Sequence, residues 1–112
     1  MLTEEKIVSL HESINNYIEI IREENTRMLP KFIKTLCKIR YNLNYCIENG
    51  FKDKEEILKQ VVSEWVECCA FSAQGPMNFV LYNRDQEKME EINKNLYKEV
   101  NKFNKNLEKI FK

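Results

Sequence analysis

One histidine, four cysteines and two lysine-bearing stripes are the places where this 112-residue chain could do chemistry. Nucleophilic catalysis by Ser or Cys usually needs a nearby base, most often His. The chain offers only His11, beside Leu10 on the partly apolar edge of what periodicity reads as its first helix. With a single His, the paired Glu-x-x-His ligands of a di-iron bundle cannot be built. Nor does an Arg precede His11 at the spacing used by helical ribonuclease toxins. A structural zinc site draws four ligands from closely spaced Cys or His, and no C-x-x-C occurs. Cys37 and Cys46 are nine residues apart, which on a helix turns them to opposite sides. The adjacent thiols of Cys68 and Cys69 could meet a soft metal or an oxidant, although buried, inert cysteine is the commoner condition. Gly50 and Gly75 are the only glycines, so a glycine-rich phosphate loop is excluded. The reading is non-enzymatic, with no catalytic residue, no metal ligand and no cofactor assigned.

Binding chemistry is better represented. Lys34, Lys38, Tyr41 and Tyr45 fall along one side of the second helical stretch, and Lys94, Lys98, Lys105 and Lys109 along one side of the last. Lysines supply phosphate contacts and tyrosines stack on bases, the requirement for non-specific nucleic-acid binding. Lysines on a polar helix face are also ordinary solubilising residues. The third feature is Cys68–Asn83, CCAFSAQGPMNFVLYN, which lacks any charge in a chain that is 32% charged. With Trp65 ahead of it, it brings together Phe71, Met77, Phe79, Leu81 and Tyr82, the aromatic and Met content that interface centres favour. These six residues form the candidate partner-binding surface. The competing role is a plug for one end of the core, and Trp65 and Tyr82 could also wall a small apolar pocket between helices.

The elements that must position these residues are read from apolar spacing. Thr3 suits the cap of a first helix whose opening turn holds Glu4 and Glu5. Ile7, Leu10, Ile14, Tyr17 and Ile21 follow at steps of three and four, with Glu5, Glu12, Glu19 and Glu23 on the wet side. Pro30 belongs in the first turn of a second helix, with a kink in one continuous helix as the alternative. Leu29, Phe32, Leu36, Ile39, Leu43 and Cys46 form its seam, and Asn49-Gly50 suits a left-handed C-cap. Asp53 with Glu56 resembles a capping box for the third helix, whose apolar side is Leu58, Val61, Val62, Trp65, Cys68 and Cys69. Met77–Tyr82 has β-propensity but no partner strand, and is read as a loop or helical turn. Asn83 or Asp85 can cap the last helix, in which Met89, Leu96, Phe103 and Ile110 recur every seven residues with Ile92, Val100 and Leu107 on the same side.

The expected architecture is therefore all-α, an antiparallel up-and-down four-helix bundle in one domain over 1–112, with helices at about 4–27, 30–48, 54–71 and 84–111. The outer helices exceed the inner pair in length, so Ile20, Ile21, Met28, Phe103, Ile110 and Phe111 are expected to overhang, and a homodimer would cover them. Eighteen basic and eighteen acidic side chains cancel, leaving no global field to attract nucleic acid or an anionic membrane. No apolar run approaches membrane-spanning length and no secretion signal opens the chain, which points to the cytoplasm. High Asn, Lys and Ile content suggests a bacterial or phage origin. The expected function is protein–protein interaction as an inhibitor, adaptor or immunity-type module, with another protein as partner. The alternatives are a nucleic-acid-associated regulator using the lysine and tyrosine stripes, or a small-ligand or thiol sensor.

Overall fold

The apolar seams fold as four helices: α1 Glu4–Glu24, α2 Ile33–Glu48, α3 Lys54–Ala70 and α4 Gln86–Ile110. They are seen in a computed structural model that describes residues 4–24, 30–70, 75–76 and 79–110. α1 packs against both α4 and α2, and α2 packs against α3, an all-α four-helix bundle with no strand among the described residues. Neighbours run antiparallel. Near the start of α1 the Ser9 hydroxyl accepts from Asn106 Nδ2, near the end of α4, at 2.9 Å. Between α1 and α2, Arg40 Nη1 donates to Asn15 Oδ1 at 3.2 Å and to Glu19 Oε1 at 3.3 Å. The seam between α3 and α4 is spanned by one large side chain. Trp65 packs edge-on against Phe103 with ring centroids 4.8 Å apart, and its Nε1–H donates to Asn104 Oδ1 at 3.1 Å.

Burial follows the predicted seams. Ile7, Leu10, Ile14, Tyr17 and Ile21 of α1 are buried and Ile18 joins them; Leu36, Ile39, Leu43 and Cys46 line α2; Leu58, Val61, Trp65 and Cys68 line α3. Each fully buried Leu or Ile contributes roughly 1.5–3 kcal/mol relative to exposure. One expectation is corrected. Ile21 and Phe103 are both 0% exposed, and Ile20 and Ile110 pack half-buried against the same core. A single chain covers them, so they provide no overhang for a second copy; Met28 and Phe111 lie outside the described residues.

The helix ends explain the connections. Pro30 precedes α2 instead of lying in its first turn: its carbonyl accepts the Ile33 N–H at 3.1 Å, and the helix begins at Ile33. The chain therefore turns between two separate helices, α1 and α2, and Pro30 does not kink a continuous one. Phe32, at the N-cap, has no side-chain acceptor to offer, and its ring is buried instead. At the other end of α2 the Gly50 N–H donates to Ile47 O at 3.3 Å and the Phe51 N–H to Cys46 O at 2.9 Å, the paired bonds of a Schellman motif. Gly50 has φ +68°, as its place after Asn49 predicts. Phe51 follows at φ +63°, a conformation costing a non-glycine residue about 1–2 kcal/mol, and its side chain packs against the core. α3 starts after Asp53, whose carbonyl accepts from Ile57 N–H at 2.9 Å. Of the two predicted caps of α4, Asp85 is the one used and Asn83 supports it. Asp85 Oδ1 accepts from the N–H groups of Glu87 and Lys88, while Asn83 Oδ1 accepts from Asp85 N–H at 2.9 Å and so holds the cap in place.

Candidate functional site

The charge-free segment is held by side chains from α1, from the N-cap of α2 and from α4. Gly75 and Pro76 are buried, and the Tyr17 hydroxyl donates to the Pro76 carbonyl at 3.0 Å. Burial in this setting raises the Tyr17 pKa, so its hydroxyl stays protonated as a donor. Tyr17, Phe32 and Phe79 form a short run of rings, with centroids 6.4 Å apart for the first pair and 5.3 Å for the second. Leu81 is buried, and both of its backbone groups meet one amide. Its N–H donates to Asn93 Oδ1 at 2.8 Å, and Asn93 Nδ2 donates to its carbonyl at 2.8 Å. Asn93 thus serves a single residue as a neighbouring strand would. The same Nδ2 reaches the Met89 carbonyl at 2.9 Å, which ties the clamp to α4.

These anchors divide the six candidate partner-binding residues. Trp65 and Leu81 are buried in the core, and Phe79 is half-buried against Phe32. Phe71 and Met77 lie outside the described residues. Tyr82 stands 80% exposed, with Val80 also facing out. The pocket expected between Trp65 and Tyr82 is not formed. Trp65 sits at Phe103 and Asn104, in the C-terminal half of α4, whereas Tyr82 shares a groove with Arg84, just before α4, and with Met89, Glu90, Lys94 and Tyr97 of its N-terminal half. The residues missed in the sequence are Asn93, which holds the segment, and Arg84, Met89 and Tyr97, which surround Tyr82. Asn93 did leave a signal. Met89, Asn93, Leu96, Val100, Phe103 and Leu107 alternate steps of four and three without a break, so a polar residue occupies a seam position.

The lysine stripes are exposed but separate. Lys34, Lys38, Tyr41 and Tyr45 lie on the outer face of α2, and Lys94, Lys98, Lys105 and Lys109 on α4, with α1 packed against both helices. Lys98 shares its groove with Glu19, Glu23 and Glu24 of α1 and with Glu99, so carboxylates surround the middle of the α4 stripe. Lys34, Lys38 and Tyr41 line a groove toward α3 with Cys37, Gln60 and Glu64.

At Cys46, Cys68 and Cys69 burial disfavours the reactive thiolate. Burial pushes the Cys68 pKa up to about 12, with Cys69 and Glu67 adding to the shift, and burial also raises Cys69. Cys46 is raised by burial and by Asp53. His11 is half-buried beside Cys37, Arg40 and Tyr41; burial and then the Arg40 charge lower its pKa, opposed by Glu12, and so favour the neutral imidazole. Among the described residues no group of three or more His, Cys, Asp or Glu is placed to hold a metal ion, and no helix is long and apolar enough to cross a membrane. No known protein family, no curated protein and no solved structure matches this chain.

Proposed function

We propose that the protein acts by occupying a surface of another protein, docking through the face around Tyr82, as an inhibitor, adaptor or immunity-type module does. The observation that supports this reading is one aromatic side chain held outward between fixed neighbours. Leu81 is clamped to Asn93 on one side, and Asn83 is bonded to the cap of α4 on the other, while Tyr82 is 80% exposed. A tyrosine held this way binds with little further loss of chain entropy, and only its side chain must be ordered. Arg84, Lys94 and Glu90 give the groove a rim of both signs that suits a charged rim on the partner, with Met89 and Tyr97 as the apolar floor. In this proposal Trp65, Phe79 and Leu81 support the surface from beneath without touching the partner.

The test places a photo-crosslinking amino acid at Tyr82, and at Glu56 on α3 as a control, in extract of the source cell. The expected result is one discrete protein adduct from position 82, insensitive to nuclease and absent from position 56. In addition, Tyr82→Ala abolishes capture of that protein without lowering the melting temperature. An adduct of twice the chain mass identifies the partner as a second copy, a homodimer. Equal labelling from both positions, or loss of the adduct on nuclease treatment, overturns the proposal.

A further inference from the structure

We infer that the outer face of α2 binds single-stranded nucleic acid, with Lys34 and Lys38 on phosphates and Tyr41 and Tyr45 stacked on bases. This surface is independent of the one around Tyr82. The chain has no net charge, yet its charges are sorted among helices. α2 carries Lys34, Lys38 and Arg40 and a single carboxylate, Glu48, at its last residue, whereas neighbouring α1 carries six glutamates against Lys6 and Arg22. The three cations are not equivalent. Arg40 is held by Glu19 at 3.3 Å, while Lys34 and Lys38 have no carboxylate within ion-pair distance among the described residues. Their charge is left to solvent, the condition under which contact with a phosphate releases counterions.

Beside them stand two tyrosines that the fold does not bury. Tyr41 is 69% exposed and Tyr45 47% exposed, one turn apart on a helix that fixes their backbone. Tyr41 is a ridge between two grooves, one toward α3 with Lys34, Lys38 and Gln60, the other toward α1 with His11, Arg40 and Asn44. From Lys34 to Tyr45 the stripe runs roughly 16 Å along the axis. Exposed rings at helical spacing next to unpaired lysines are what a flexible polyanion with free π-faces requires. A duplex keeps its faces stacked internally and cannot use the tyrosines.

The two rings favour a single strand over an acidic peptide. A peptide carboxylate would use the lysines alone and leave Tyr41 and Tyr45 without a role, whereas a single strand engages both. Glu64 lines the α3 wall of the groove, its Oε1 accepting from Gln60 Nε2 at 3.0 Å and its Oε2 buried.

Fluorescence anisotropy with the full chain and a labelled single-stranded DNA of about 12 nucleotides tests this, a length within the range one small domain covers. Binding is expected to weaken with salt at a slope near −1.4 in log K against log [salt], about −0.7 for each of two phosphates. Tyr41→Ala should weaken binding roughly 5- to 150-fold, the loss of one stacked base, with an unchanged thermal melt, and Tyr41→Phe should restore it. Lys34→Ala with Lys38→Ala should flatten the salt dependence. Tyr82→Ala should bind the oligonucleotide normally, which keeps failure here distinct from failure of the docking surface. The inference is overturned by a salt-independent or undetectable signal, by Tyr41→Ala binding like the unaltered chain, by a duplex of the same sequence binding equally well, or by polyglutamate competing as well as the oligonucleotide, which would assign the face to an acidic protein.

Discussion

The two links that flank α3 are built on different principles. The link from α2 to α3 is five residues long and is held by its immediate neighbours: the N–H groups of Asn49, Gly50 and Phe51 return to the carbonyls of Tyr45, Ile47 and Cys46. The link from α3 to α4 is three times as long, and the bonds that anchor its described part come from far along the chain, from Tyr17 to Pro76 and from Asn93 to Leu81. A turn closed by local bonds takes its backbone partners from the end of its own helix, and only Phe51 reaches from it to the core. A segment closed by distant bonds has an inner side, Pro76 and Leu81, and therefore an outer side, Tyr82 and Val80. The proposed interaction surface arises from this difference.

The sharpest way to break the contrast is at Asn93. Asn93→Ala leaves the buried N–H and carbonyl of Leu81 without partners, a cost of about 3 kcal/mol, or roughly 10 to 15 °C in melting temperature, and thermal denaturation reads it directly. A loss below about 1 kcal/mol would mean that the clamp is incidental.

A second effect appears at high pH. The Cys68 pKa is raised in the folded chain from about 9 to about 12, chiefly by burial. Between those values the unfolded chain sheds a proton that the folded chain keeps, so stability is intact below about pH 9 and falls as pH rises toward 12. Tyr17 acts in the same direction at still higher pH. Urea midpoints measured from pH 8 upward should decline, and Cys68→Ala should make the early part of that decline shallower.

At the local link the expected effect is smaller. Gly50→Ala places a Cβ at φ +68° with no neighbouring atom within 4 Å, so only backbone strain opposes it, at about 1 kcal/mol. A loss matching that of Asn93→Ala would erase the distinction between the links. The smallest effect belongs to Tyr82→Ala, which should change stability by less than about 0.5 kcal/mol because the ring contributes little to the core.

The same division governs what could be read in advance. The bundle, its seams, the cap at Gly50 and the cap at Asp85 were legible because each depends on residues within a few positions of one another. Pro30 misled by its preference for a first helical turn; the chain instead placed Phe32 at the N-cap and used its ring for packing against Tyr17 and Phe79. The overhang of Ile21 and Phe103 failed because helix length says nothing of how the other helices and Trp65 cover them. Of the candidate surface, composition identified the segment but could not separate Leu81 from Tyr82. Alternation along an extended stretch implies that one of two neighbours is buried, and only the partner contributed by α4 decides which. Asn93 marked that partner, as a polar residue in an otherwise apolar row.

Amide hydrogen exchange at Leu81 tests the account most directly. Its N–H is buried against Asn93 Oδ1, so it should exchange as slowly as the amides of Leu96 and Val100 in the middle of α4, and Asn93→Ala should release it while those helix amides remain protected. An exchange rate at Leu81 equal to that of an open, unbonded loop amide in the unaltered chain would contradict the anchored segment, and with it the outward presentation of Tyr82.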